Sequence, residues 1–174
     1  MTFQMAALIR LTLLGLYLAL VAPLPFLAPA ALRWPLWLAL ALGLVLMVAL
    51  TSEQVELDAA GLRVGHPRWC RWLLRRGWTL AWPEIRGLTP VATSQGGRVY
   101  YVRSSTQAAY LLPQRVAHFE TFLQQFSQAS GLDTSAIGRI SPPWTYQLLA
   151  VLTGLLLAGE LAMGWWARQT GLLN

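Results

Sequence analysis

Residues 11–52 read LTLLGLYLALVAPLPFLAPAALRWPLWLALALGLVLMVALTS, and Arg33 is the only charged residue among them. Since an α-helix rises about 1.5 Å per residue, roughly 20 apolar residues cross a hydrocarbon core about 30 Å thick. The stretch therefore predicts two membrane-spanning helices, over about residues 6–28 and 35–52, which form a hairpin within residues 1–52.

The first apolar run is longer than the core of a signal peptide, which is about 7–15 residues, and a second span follows it at once. We therefore expect the N-terminal segment to be retained as an anchor.

A third uncharged stretch, residues 140–159, lies near the C-terminus. It predicts a third membrane-spanning helix over residues 144–167, followed by a tail at residues 168–174. Aromatic side chains prefer the headgroup layer of a membrane. They lie at both ends of this predicted helix, at Trp144, Tyr146, Trp165 and Trp166.

The composition agrees with a membrane protein that carries one small domain outside the lipid. Of 174 residues, 56% are hydrophobic and 11% are charged, against about 25% charged in soluble domains. All 13 basic residues are Arg, and ten of them lie between residues 53 and 143. Basic residues are enriched on the cytoplasmic side of membrane proteins, so the charge pattern predicts a cytoplasmic central domain.

Residues 53–131 have the texture of short strands joined by turns. Alternating polar and apolar residues predict strands from Gln54 to Asp58 and in five later segments up to Leu112. A helix is predicted from about Gln114 to Ala129, because large apolar residues recur there at intervals of three and four. The fold class is therefore a small antiparallel β-barrel or sandwich with a C-terminal amphipathic helix, inserted between spans 2 and 3. Residues 132–143 are predicted to be a linker.

The central domain resembles the pleckstrin-homology-like (PH-like) domains of bacterial membrane proteins. The resemblance covers about residues 53–130. It rests on a strand that ends in Asp58, the Gly61-Leu62 turn, the Trp-Pro-Glu-Ile run at 82–85 and a terminal helix rich in Phe. It implies a PH-like fold.

The layout of two spans followed by such a domain also resembles a family of small photosystem I assembly factors in cyanobacteria and chloroplasts. This chain departs from that layout by its third span. The resemblance implies a cyanobacterial origin, a location in the thylakoid or plasma membrane, and a photosystem subunit as a partner.

A basic aromatic segment, residues 68–78, reads RWCRWLLRRGW. Three interpretations stay open: a solvated rim around the core residues Trp78 and Trp82, a loop that faces anionic lipid headgroups, or a docking patch for an acidic protein. Arg with aromatic residues also occurs in nucleic-acid binding, but the segment forms no recognisable nucleic-acid module, so no nucleic-acid partner is predicted. The candidate interface residues are Arg68, Trp69, Arg71, Trp72, Arg75 and Arg76.

Small residues recur every four positions in the third predicted span, at Ala150, Gly154, Ala158 and Ala162. Such spacing lines one face of a helix and lets another helix approach closely, so it predicts a packing face toward the hairpin or toward a foreign helix.

The same span contains one acid, Glu160, at a depth where a carboxylate is costly unless it is paired or neutralised. Three interpretations stay open for this residue: an ion pair with Arg33, a contact with a partner, or a proton relay.

The sequence contains no motif for catalysis or metal binding. His66 and His118 are the only histidines and Cys70 is the only cysteine, and their spacing matches no metal site. We therefore expect no enzyme, no catalytic residues, no metal, no cofactor and no small-molecule substrate.

These features together predict a non-catalytic adaptor or assembly factor that binds another integral membrane protein complex. Two alternatives stay open: a lipid-binding or sensor module, and a small transporter or channel subunit that uses Glu160.

Overall fold

The computed structural model describes residues 1–74, 77–94, 96–138 and 143–170, with only the backbone of Pro143. The chain divides into two compact units: a helical unit of Leu8–Val48 and Pro143–Asn174, and a β-rich unit of Met1–Ala7 and Ala49–Pro142. In chain order the elements are β1 (Thr2–Gln4), α1 (Ala7–Val21), α2 (Leu24–Leu27), α3 (Ala30–Leu50), β2 (Gln54–Leu57), β3 (Gly61–Gly65), β4 (Trp78–Ala81), β5 (Ile85–Ala92), β6 (Arg98–Ser104), β7 (Ala109–Leu111), α4 (Phe119–Ser130) and α5 (Pro143–Gln169).

Three helical segments are long and apolar enough to cross a membrane, as the sequence predicts. They cover Ala7–Leu27, Ala30–Leu50 and Trp144–Gln169. Prolines divide the first segment into α1 and α2 because they lack the N–H that continues a helix. The second segment begins at Ala30 rather than at residue 35, and Pro35 lies inside it.

The helices of this unit contact one another through small residues. Tyr17 of α1 donates a hydrogen bond from its hydroxyl to the carbonyl oxygen of Leu40 in α3 at 2.8 Å. A Cβ placed on Gly43 would overlap the Tyr17 ring. Glycine at position 43 therefore makes the room that this aromatic side chain occupies between α1 and α3.

The strands of the β-rich unit form two antiparallel sheets. One sheet has four strands in the order β1-β2-β3-β4, and the other has three in the order β5-β6-β7. The predicted antiparallel architecture is confirmed. The described strands remain two separate sheets and close no barrel, so the barrel alternative is not formed.

Strand β1 comes from residues that precede the first predicted span, where no strand is predicted. Phe3 pairs with Val55 of β2, and Met5 forms a further bridge with Val116. Three residues are too few to show a strand periodicity, so the sequence offers no signal for this element.

The two sheets and α4 share one hydrophobic core. Three Phe side chains of α4 are almost fully buried, at Phe119, Phe122 and Phe126. Phe122 lies edge-to-face against Phe3 of β1, with ring centroids 5.6 Å apart. The predicted amphipathic helix therefore packs its apolar face on both the first strand and the later sheet.

The helix α4 begins at Phe119 and not at the predicted residue 114. Residues 112–117 instead bond to other strands: Leu112 donates its backbone N–H to Tyr100, and Ala117 donates to Gln4. His118 then adopts a left-handed conformation, φ 52°, which precludes a helix that continues from earlier residues. Tertiary pairing of this segment overrides its helical periodicity.

The first part of the predicted linker packs on the domain. The Tyr100 hydroxyl donates to the Ala136 carbonyl at 2.6 Å, and the Gln114 amide donates to Gly138 at 2.8 Å. Ile137 is 8% exposed. The remainder of this predicted linker, residues 139–142, lies outside the described residues.

Candidate functional site

The basic aromatic segment forms the connection between β3 and β4. Residues 66–74 of this connection fold into two successive turns in which Arg71 donates its backbone N–H to Pro67 and Leu74 donates to Cys70. The Trp72 indole donates to the Trp69 carbonyl at 2.9 Å. Arg75 and Arg76, also predicted as interface residues, lie outside the described residues.

Cys70 is the buried anchor of this loop. Its side chain is 1% exposed, and its thiol lies 3.6 Å from the Pro67 carbonyl oxygen. The neighbouring side chains point outward: Trp69 is 50% exposed and Trp72 is 81% exposed. The loop therefore presents Arg68, Trp69, Arg71 and Trp72 to the surroundings.

The tryptophans of the segment and Trp82, which follows it, divide into two groups. Trp78 stacks on Tyr110 with ring centroids 5.0 Å apart, and Trp82 donates its indole N–H to the Asp58 carbonyl at 3.0 Å. Both rings pack against the hydrophobic core. The core interpretation thus describes Trp78 and Trp82, whereas Trp69 and Trp72 face outward.

A groove of about 470 Å³ lies beside this loop. Its volume falls within the range of about 300–1,000 Å³ typical of ligand sites. We call it the arginine groove; its lining includes Arg63, His66, Arg68, Arg71, Trp72 and Trp78.

Two of the three arginines in the arginine groove have no interaction partner in the described part of the chain. Among the described residues, the side chains of Arg68 and Arg71 make no hydrogen bond or ion pair. Arg63 differs, because it lies 3.8 Å from a Glu56 carboxylate oxygen and 3.4 Å from the Thr79 hydroxyl. The groove therefore contains an excess of positive charge, with Glu56 as the acid nearest to Arg63 across the strands.

His66 contributes a polar atom that lacks a partner. Its Nδ1 is shielded from solvent and makes no hydrogen bond to any described residue. Buried polar atoms in native proteins are ordinarily paired, so an unpaired one deserves an explanation. The spacing of His66 matches no metal site, and no pattern in the sequence predicts its position in the groove.

The small residues of α5 lie on a face that the hairpin does not cover. Gly154, Ala158 and Ala162 are exposed, Ala150 is half-buried, and a Cβ added to Gly154 would meet no atom within 4 Å. We call these four positions the small-residue face.

The contact of α5 with the hairpin uses a neighbouring face. Thr153 is 5% exposed, and a Cβ added to Gly15 of α1 would lie 3.2 Å from its methyl group and 3.9 Å from Leu157. Thr153 was not predictable as a contact residue, because a threonine in a span gives no packing signal of its own. Gly15 does give such a signal, since a small residue lets another helix approach closely.

Glu160 and Arg33 form no ion pair in the structure. The Arg33 Nε donates to the Ala28 carbonyl oxygen at 3.2 Å. Glu160 is half-buried on the same face of α5 as Thr153 and Leu157, and its carboxylate has no partner among the described residues. The pairing interpretation of this acid therefore has no contact to support it.

No group of three or more His, Cys, Asp or Glu side chains within the described ranges is placed to hold a metal ion. The arginine groove is instead lined by cationic and aromatic side chains. The helix α5 is apolar and contains one acid, Glu160.

The protein therefore has three helices of spanning length and one two-sheet domain. Most of this domain lies between the second and third of these helices in the chain, and β1 precedes the first. The chain is 43% identical over 167 residues to an uncharacterized protein of Synechocystis, slr0269, across 92% of this chain and 84% of that relative. It belongs to the same family as that cyanobacterial protein. No family model and no solved structure matches it.

Proposed function

We propose that the protein is a non-catalytic membrane adaptor or assembly factor that binds another integral membrane protein. The observation that carries this proposal is the exposed small-residue face. α5 packs on its own hairpin through Thr153, so Gly154, Ala158 and Ala162 remain uncovered within the chain.

A helix from a partner gains most from such a surface. In lipid, helix association depends on close van der Waals packing because there is no hydrophobic driving force between spans, and small residues let backbones approach. Glu160 lies about 140° around α5 from the centre of this face, on the side of Thr153 and Leu157, so the proposal depends on the small residues and not on this acid.

The domain supports a second contact outside the lipid. We propose a PH-like fold for it, supported by four strands, then three strands, then one helix packed on both. The excess of arginines in this unit supports a cytoplasmic location. A relative occurs in a cyanobacterium, and we propose a role in the biogenesis of a photosynthetic complex, in the thylakoid or plasma membrane.

The test is recovery of a membrane partner from cells. A C-terminally tagged chain replaces slr0269 in Synechocystis, membranes are solubilised, and bound proteins are quantified by mass spectrometry. We expect a stoichiometric integral membrane partner with the wild-type chain. The double variant Gly154→Leu/Ala158→Leu should reduce its recovery about tenfold, because two leucines prevent close approach of the helices.

The matched control is Gly159→Leu. Gly159 is exposed with nothing within 4 Å, and at about 100° per residue it lies about 120° from the small-residue face. This variant should recover the partner as the wild type does. Recovery of the chain alone, or equal loss in both variants, would contradict the adaptor function.

A further inference from the structure

We propose that the arginine groove binds the headgroup of an anionic phospholipid. This inference is independent of the adaptor function, because it concerns the β-rich unit and requires no partner on α5.

The first support is charge. The Arg68 and Arg71 side chains line the groove and have no partner among the described residues. A guanidinium group binds phosphate oxygens through two parallel N–H donors, so two uncommitted guanidinium groups suit one phosphodiester. Glu56 lies 3.8 Å from Arg63 and makes no ion pair with either of the other two arginines.

The second support is the His66 imidazole. Its Nδ1 is shielded and has no partner in the described part of the chain, while the residue lines the same groove. If the ring rotates so that a protonated Nδ1 faces the groove, the imidazole would donate a hydrogen bond to a phosphate oxygen. A headgroup would then satisfy an atom that the protein itself leaves unpaired.

The third support is the location of the loop within the sheet. Gln54 of β2 pairs with Gly65 of β3 on one side and with Gln4 of β1 on the other. The chain continues from Gln4 toward α1 and arrives at Gln54 from α3. The loop that follows Gly65 therefore leaves β3 at the same end of the strands at which β1 and β2 connect to α1 and α3.

The exposed apolar side chains of the loop identify a lipid rather than a free phosphate as the ligand. Trp69 is 50% exposed, Trp72 is 81% exposed and Leu73 is 47% exposed. Indole rings beside arginines prefer the headgroup layer, where the ring contacts acyl chains and the cation contacts phosphate. Soluble phosphate would use the arginines and leave these side chains in water.

The experiment measures headgroup preference in the full chain. The protein is purified in a zwitterionic detergent and titrated with dihexanoyl phosphatidylglycerol, dihexanoyl phosphatidylcholine or inorganic phosphate, and bound ligand is counted by native mass spectrometry. We expect the wild-type chain to bind phosphatidylglycerol at least tenfold more tightly than the other two ligands. The variant Arg68→Gln/Arg71→Gln should bind it about 30-fold more weakly, because each basic residue near an anionic surface contributes about fivefold.

The matched control is Arg98→Gln/Arg103→Gln, which removes the same charge from two exposed arginines of β6. It should keep the preference for phosphatidylglycerol. A further variant, His66→Ala, should weaken binding with both arginines in place. Protection of Cys70 from a maleimide shows in each variant that the loop is folded, because this thiol is 1% exposed.

Three results would each overturn the proposal. They are equal binding of the two phospholipids by the wild type, inorganic phosphate that binds as tightly as phosphatidylglycerol, and a loss in the Arg98/Arg103 control as large as in the groove variant. If the true ligand were an acidic protein segment, the wild type would bind the two phospholipids equally.

Discussion

Asp133, just after α4, is a carboxylate whose pKa the local backbone sets. Its two oxygens accept hydrogen bonds from the Ser135 backbone N–H at 2.8 Å and the Ser135 hydroxyl at 3.0 Å. These bonds hold the pKa of Asp133 below its ordinary value of 3.8. Because the folded form holds the proton less tightly, the turn is stabilised above the ordinary pKa, and this contribution is lost as the pH falls through the lowered value.

We predict that replacing Ser135 by Ala raises the pKa of Asp133 only partway toward 3.8. The backbone N–H bond is the larger cause of the shift and remains in this variant. The measurement is an NMR titration of the Asp133 carboxyl carbon in the full chain, with Ser105→Ala, an exposed serine on another turn, as the control. A wild-type midpoint at or above the ordinary value would contradict the prediction.

At the residue scale, only some of the residues that form each candidate site could be predicted from the sequence. Arg68 and Arg71 line one groove, because the turn around Cys70 directs both side chains outward. His66 joins them through a backbone path that no spacing rule encodes. Thr153 and Gly154 are adjacent in sequence but lie on different helix faces, and only the position of α1 decides which face is covered.

At the scale of elements, the hairpin of β3 and β4 depends on a glycine. A Cβ on Gly61 would overlap the Leu80 carbonyl oxygen of the neighbouring strand. We predict that Gly61→Ala lowers the free energy of unfolding of the domain by about 1–3 kcal/mol, because the strands must move apart to admit the methyl group.

The measurement is thermal unfolding of the full chain in detergent, followed by the near-ultraviolet circular dichroism of the domain tryptophans. The control is Gly87→Ala in β5, where an added Cβ meets nothing within 4 Å. That change should stay within about 0.5 kcal/mol of the wild type. Equal losses in the two variants would show that the close approach at Gly61 does not matter.

Elements with strong local signals were predictable, and elements defined by distant partners were not. The three apolar helices and the strands from β2 to β7 follow from hydropathy and alternation within each segment. β1 has three residues and exists because β2 offers it an edge. The segment before Phe119 has helical periodicity, yet its backbone bonds to β1 and β6 instead.

At the scale of the whole molecule, the β-rich unit is built from chain segments on both sides of the hairpin. Phe3 is 8% exposed and pairs with Val55, on the far side of two helices of spanning length. We predict that Phe3→Ala destabilises the domain by about 3 kcal/mol or more, as expected for a buried aromatic ring in a shared core.

The control for this prediction is Thr2→Ala on the exposed face of the same strand, which should change stability by less than about 0.5 kcal/mol. Chemical denaturation of the full chain in detergent, monitored by tryptophan fluorescence, gives both values. If Phe3→Ala unfolds at the same denaturant concentration as Thr2→Ala, then β1 is not part of the cooperative unit.

The strand order has a consequence for biosynthesis. β1 is synthesised before α1, α2 and α3 and meets β2 only after these helices have been made. The sheet can therefore be completed only if the two spans enter the membrane as a hairpin and return the chain to the side on which it started. A chain with one span misinserted would leave β2 with an open edge and would remove the edge-to-face contact between Phe3 and Phe122. Pairing of β1 with β2 therefore makes the fold of the domain dependent on how both helical segments between the two strands are placed.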